Sequence, residues 1–213
     1  MKHYDLSGKW KVSLKDGEQA FSTLPWTLDE NNIGPPDLGS NQWHPENDLG
    51  NDSDFAGSNI ILTRLTRKHS YEGPADFTRN FSMDVPKGFR VFLEAERSRE
   101  LSLLINGKDI PAHIQGTVST PHVFEITNEL RPGDNTCTLR CDNSYPNWPR
   151  DAIVFSSAAT DETQTNWNGL LGFLRLRVEQ DNFISSLRVY PGEECADVAV
   201  ELDVSVKYIG KLM

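Results

Sequence analysis

The sequence predicts an all-β fold, a jelly-roll β-sandwich, from three observations. Apolar residues recur with a period of two rather than 3.6. Turn residues separate these alternating runs at short intervals. No stretch carries a long amphipathic helical pattern. The length of 213 residues suits one domain of sandwich size, or one domain plus the start of another.

The elements follow in chain order. Lys9–Leu14, Ile60–Leu65 and Ala75–Met83 are predicted strands, and Phe89, Val91, Leu93 and Ala95 then alternate with Arg90, Phe92 and Glu94. Leu101–Ile105 and Lys108–Ile110 flank Asn106-Gly107. Both turn residues accept positive φ, so this pair predicts a type I′ hairpin. His122–Ile126, Thr136–Cys141, Ile153–Phe155, Leu174–Val178 and Ile184–Tyr190 continue the series. Pro86-Lys87-Gly88, Arg131-Pro132-Gly133-Asp134 and Pro191-Gly192 supply the turns. After Pro191-Gly192, Val198, Val200, Leu202, Val204 and Val206 alternate with Ala199, Glu201, Asp203 and Ser205. A lone strand cannot bury its own apolar face. The expected division is therefore a first domain over 1–192 and the truncated start of a second over 193–213.

Two segments do not alternate. Residues 29–59 are rich in Asp, Asn, Gly and Pro, and residues 143–169 carry Asn143, Tyr145, Trp148, Asn166, Trp167 and Asn168. Loops of this length often carry function.

Charge and cysteine content exclude several classes. With 31 acidic and 21 basic side chains the net charge is −10. A nucleic acid or an anionic membrane needs a basic stripe, so neither is expected as a partner. No run of about 18 apolar residues exists to span a bilayer. Met1–Asp5 lacks the apolar core of a signal peptide, and the compartment stays open between cytoplasm, periplasm and exterior. Cys137 and Cys141 lie four apart in an alternating run, ~13 Å along a strand. A disulfide needs Cα atoms within roughly 7 Å. They are expected as buried thiols beside Leu139. No CxxC or HxxxH spacing occurs and the five histidines are scattered, so neither metal nor cofactor is expected.

Four segments carry a family resemblance. Leu6-Ser7-Gly8-Lys9-Trp10-Lys11-Val12 looks like the opening strand of the N-terminal domain of glycoside hydrolase family 2. Leu24-Pro25-Trp26-Thr27-Leu28-Asp29-Glu30 through Gly34 resembles a segment of bacterial β-galactosidase-like members, with Trp26 in place of the usual Gly. Tyr71-Glu72-Gly73-Pro74 and Ser119–Thr127 also match. The most specific segment is Thr163-Gln164-Thr165-Asn166-Trp167-Asn168-Gly169, preceded by Asp161-Glu162 where members often carry Asp-His. The resemblance covers residues 6–192. It implies a galactose-binding-like jelly-roll domain, then an immunoglobulin-like sandwich whose first strand Val198–Val206 resembles, then a catalytic (β/α)₈ barrel that nothing here resembles. It also implies a β-glycoside and the downstream domains as partners.

Retaining glycoside hydrolysis needs two carboxylates ~5–5.5 Å apart, which the family places on its barrel, so no catalytic residue is expected in this chain. Asn128-Glu129 superficially resembles the family's Asn-Glu pair but adjoins a turn. A jelly-roll loop can still reach the barrel mouth. Hydroxyls need paired donors and acceptors, and the C–H face of a pyranose stacks on an indole. Asp161, Asn166, Trp167 and Asn168 meet both needs within eight residues and are the expected substrate-binding set. Each has a bland alternative: Trp167 as a packing residue, the two asparagines satisfying loop backbone, and Asp161 as a cap. The competing whole-chain readings are a free-standing carbohydrate-binding module and a purely structural sandwich.

Overall fold

Alternation decides which side of each strand meets the core. In Gly8–Leu14, Trp10, Val12 and Leu14 are buried while Lys9 and Lys11 are exposed. The computed structural model describes residues 1–37, 68–149 and 166–204. In chain order the strands are β1 (Lys2–Asp5), β2 (Gly8–Leu14), β3 (Gln19–Leu24), β4 (Trp26–Thr27), β5 (Pro74–Ser82), β6 (Phe89–Ala95), β7 (Glu100–Ile105), β8 (Lys108–Ile110), β9 (His122–Glu125), β10 (Asp134–Asp142), β11 (Gly169–Leu170), β12 (Leu174–Gln180), β13 (Asn182–Pro191) and β14 (Ala196–Val204). The only helical turn among the described residues is a 3₁₀ turn at Thr127–Glu129.

The strands build an antiparallel β-sandwich. One sheet runs β3-β2-β5-β10-β7-β8 and the other β1-β12-β6-β9. Between them lie Trp10, Val12, Phe77, Leu103, Ile105 and Leu139 from the larger sheet, with Val91, Leu93, Phe124, Leu174 and Leu176 from the smaller. Each such side chain contributes roughly 1.5–3 kcal/mol through its removal from water. The Asn106-Gly107 hairpin forms as expected, with φ of 53° and 81°.

The smaller sheet is buried on its second face as well. Arg90, Phe92 and Glu94 point away from the core of β6, yet each is under a tenth exposed. Arg90 donates to Glu125 at 2.6 and 2.9 Å, and Glu94 accepts from Arg175 at 2.8 Å and Arg177 at 2.6 Å. The Arg177 guanidinium lies 4.4 Å from the Phe92 ring centre. Hydrogen bonding to Arg90 holds the Glu125 carboxyl below its usual range. A paired charged layer thus covers this face.

Strands β1 and β3 have no counterpart in the sequence expectation, because Lys2–Asp5 and Gln19–Leu24 show little apolar alternation. The expected strands at 60–65 and 153–155 lie outside the described residues. The strand expected after Gly192 is present as β14, paired in a separate two-stranded sheet with β13. Asn128-Glu129 sits in the 3₁₀ turn, where Glu129 pairs with Lys108 at 2.6 Å. His122 is fully buried; its Nδ1 lies 3.3 Å from Gln115 Nε2, and burial lowers its pKa.

Cys137 and Cys141 are buried on either side of Leu139, as expected, and Cys195 is exposed. Burial pushes the Cys141 thiol up to about 12 and raises Cys137 as well. Thiolate is the reactive form. Native protein should therefore titrate one fast thiol per chain with an aromatic disulfide reagent, and three after denaturation. Two fast thiols in the native state would contradict the packing of β10.

Candidate functional site

The site is built where β10 ends and the chain turns away from its sheet. Backbone that leaves a ladder inside the protein loses its strand partners and needs others. Asn143, the first residue after β10, supplies them from a fully buried position. Its Oδ1 accepts from the Gly73 amide at 3.0 Å, and its Nδ2 donates to the carbonyls of Tyr71 at 2.7 Å and Asn166 at 2.8 Å. Asn166 Nδ2 donates in return to the Asn143 carbonyl at 3.1 Å. Asn168 Nδ2 reaches the Gly73 carbonyl at 2.7 Å, the Cys141 carbonyl at 3.2 Å and Asn143 Oδ1 at 3.1 Å. Three carboxamides thereby join the segments at 71–73, 141–143 and 166–168. A carboxamide combines two donors with an acceptor on a short stem, which a carboxylate or hydroxyl cannot match.

The chain then passes directly into β11. The Asn168 carbonyl accepts from the Leu28 amide at 2.9 Å, and Gly169 and Leu170 pair with Thr27 and Trp26. Gly169 has φ of 115°, and a Cβ there would stand 2.6 Å from the Trp26 carbonyl oxygen. Only glycine fits this close crossing.

Trp167, between these asparagines in the chain, has 9% of its surface exposed. The Arg99 guanidinium lies 4.5 Å from its ring centre, and Arg99 Nη1 donates to the Tyr145 hydroxyl at 3.0 Å. Burial raises the Tyr145 phenol pKa. Trp148 and Trp26 are 60% and 50% exposed.

The structure thus brings together three of the four expected site residues, Asn166, Trp167 and Asn168, and places Asn143 and Tyr145, from the start of the same 143–169 segment, beside them. Asp161 lies outside the described residues. Arg99 was not anticipated: it sits immediately before β7 in a charged stretch, with no signal in its neighbours. Gly73 and Tyr71 belong to a segment singled out by resemblance, but their contact with Asn143 is 70 and 72 residues away in sequence and leaves no local trace. Amides neither titrate nor attack, so the chemistry of this cluster is positioning: it fixes the backbone of residues 166–168.

No protein-family model matches the sequence, and no curated protein matches it. Solved structures do. A putative β-galactosidase from Bacteroides fragilis is 17% identical with a TM-score of 0.61; the match covers 97% of this chain and 29% of that one. A β-D-mannosidase from Dictyoglomus thermophilum is 14% identical with a TM-score of 0.59, covering 96% and 26%. A GH2 β-galacturonidase from Eisenbergiella tayi, solved with galacturonate, is 18% identical with a TM-score of 0.52, covering 92% and 28%. The chain shares its fold with a part of these glycosidases and spans about a quarter to a third of their length.

Replacing Asn143 with alanine takes a hydrogen-bond partner from the Gly73 amide and from the Tyr71 and Asn166 carbonyls, and removes one of the three acceptors of Asn168 Nδ2. At roughly 1–3 kcal/mol for an unsatisfied buried group, Asn143→Ala should lower the unfolding free energy by about 3 kcal/mol in urea titration. A loss below about 0.5 kcal/mol would show that the cluster is not structural.

Proposed function

We propose that this chain is the N-terminal sugar-binding module of a family 2 glycoside hydrolase of the β-galactosidase-like branch, and that its 161–168 segment helps shape the substrate site of a catalytic barrel carried elsewhere in the polypeptide. The observation that carries this reading is the likeness of nearly the whole chain to one part of several much longer glycosidases. The motif from Thr163 to Gly169 supports the assignment to family 2. The proposed ligand is a β-glycoside, bound by Asp161, Asn166, Trp167 and Asn168, and the module itself supplies no catalytic residue and needs no cofactor.

The amide cluster divides the labour among those four. The Asn166 and Asn168 nitrogens already donate to buried backbone, so these two residues act chiefly by holding the segment in place. Direct recognition falls to Asp161, and Trp167 supports the segment from the buried end. A carboxylate suits the task because it accepts from two adjacent sugar hydroxyls at once.

A second reading, a purely structural sandwich, is favoured by the burial of Trp167 against Arg99. The two separate kinetically. In the full-length enzyme, Asp161→Ala should lower kcat/KM by about 10- to 100-fold, corresponding to ~1.4–2.7 kcal/mol of transition-state binding, with the melting temperature unchanged. Wild-type kinetics in that variant would leave only the structural role.

A further inference from the structure

Outside the two-stranded β13–β14 ribbon, the most exposed aromatic rings among the described residues are Phe21 at 65% and Trp148 at 60%. Lys9 Nζ lies 4.0 Å over the Phe21 ring. The Trp148 indole has no hydrogen-bond, stacking or cation partner among the described residues. Single exposed apolar side chains are common and need no function. What sets this one apart is its mount.

Trp148 sits on the connection that leaves β10 at Asn143. On that connection Tyr145 has φ of 51°, a left-handed conformation that a bulky residue adopts only at a cost. Burial holds it there, as does Arg99 Nη1, which donates to its hydroxyl at 3.0 Å. The Trp148 amide donates to the Tyr145 carbonyl at 3.1 Å and closes a turn. Asn147 Nδ2 donates to Glu100 Oε2 at 2.8 Å. Pro146 and Pro149 fix φ on either side. The backbone under Trp148 is thus held at several points while its ring is left in water. A surface ring mounted this way has little freedom to lose on binding, and backbone strain of this kind clusters at ligand sites.

The neighbours select the ligand. Ser144, Pro146, Asn147 and Pro149 flank Trp148 in the chain, with no aliphatic side chain among them. A stable protein interface buries about 800 Å² on each side, far more than one ring offers. Asn147 spends one N–H on Glu100 and keeps its carbonyl oxygen and second N–H for other partners. An indole beside an open carboxamide matches a pyranose, whose C–H face stacks while its hydroxyls pair. Glu100 and Asp142, which bond Asn147 and Ser144, are both acidic, and Arg99 is turned inward at 3% exposure. In a chain of net charge −10 this setting repels uronates and phosphates and admits neutral sugars.

We propose that Trp148 and Asn147 form a second saccharide contact, separate from Asp161, and that the glycan recognised is an oligosaccharide of neutral, β-linked hexoses. Arg99 joins the two contacts, since it bonds Tyr145 and lies over the Trp167 ring. The ligand class rests on the reading of this chain as a sugar-binding module.

The indole N–H signals of the isotope-labelled 213-residue chain test this, with Trp148 assigned through Trp148→Phe. The probes are galactotetraose, cellotetraose and mannotetraose, each β-linked, and tetragalacturonate as the acidic comparison. At least one neutral tetraose should shift the Trp148 signal saturably, with a Kd of about 1 mM, and leave Trp10 and the exposed Trp26 unmoved. Tetragalacturonate should bind about 10-fold more weakly or worse, and Trp148→Ala should weaken the neutral tetraose by about 10-fold, read by saturation transfer to the sugar. The proposal is overturned if no neutral tetraose moves the Trp148 signal, or if Trp26 moves in parallel, which marks unspecific stacking. It is equally overturned if Trp148→Ala binds as the wild type does, or if tetragalacturonate binds as tightly as the neutral probes. Asp161→Ala should leave this titration unchanged, so its kinetics and this binding can fail independently.

Discussion

A buried amide without a partner costs roughly 1–3 kcal/mol, and the end of this sandwich is organised around avoiding that cost. Asn143 stands where β10 leaves its ladder and bonds three backbone groups in two other segments. Asn166 and Asn168 complete the set from the far side of a long connection. The path of the chain through Gly169 and along Trp26–Thr27 depends on this cluster, and so does the placement of Trp167 against Arg99. A loop that recognises a ligand needs such a base, since a displaced anchor shifts every group it carries.

The same logic operates on the outer face of the smaller sheet. Arg90, Glu94, Arg177 and Glu179 lie on the solvent side of their strands yet are largely buried, and their ion pairs and stacking on Phe92 make that burial tolerable. Buried pairs are a weak source of net stability because desolvation opposes them. Their clearer consequence is geometric: Arg90 joins Glu125 on β9 to Asp203 on β14 and so sets where the ribbon sits. The two surfaces of one strand, β6, thus serve the core and the ribbon.

Much of the architecture was legible in the sequence. Period-two runs located β2, β5, β6, β7, β10, β12 and β14, and Asn106-Gly107 located a hairpin, because both signals are local consequences of backbone geometry. The short strands β1 and β3 were not legible. Gln19–Leu24 alternates weakly, and the sides of Lys2–Asp5 are all exposed, so pairing with a neighbouring strand rather than side-chain pattern makes them strands. The Ile184–Ser186 bulge was also invisible, since it appears only once β14 supplies a register. At the site, the Asn-Trp-Asn-Gly run stood out by composition. What those amides bond to was hidden, because Gly73 and Tyr71 meet them from about 70 residues and more away.

The amide of Gly73, which donates to Asn143 Oδ1, reports directly on the cluster. Its hydrogen exchange, followed residue by residue across a denaturant series, distinguishes a fixed base from a fraying one. If the three carboxamides lock this end of the sandwich, Gly73 exchanges with the same free energy and denaturant dependence as the core amide of Leu139 on β10. Exchange of Gly73 at the rate of an exposed loop, independent of denaturant, while Leu139 stays protected would contradict the lock.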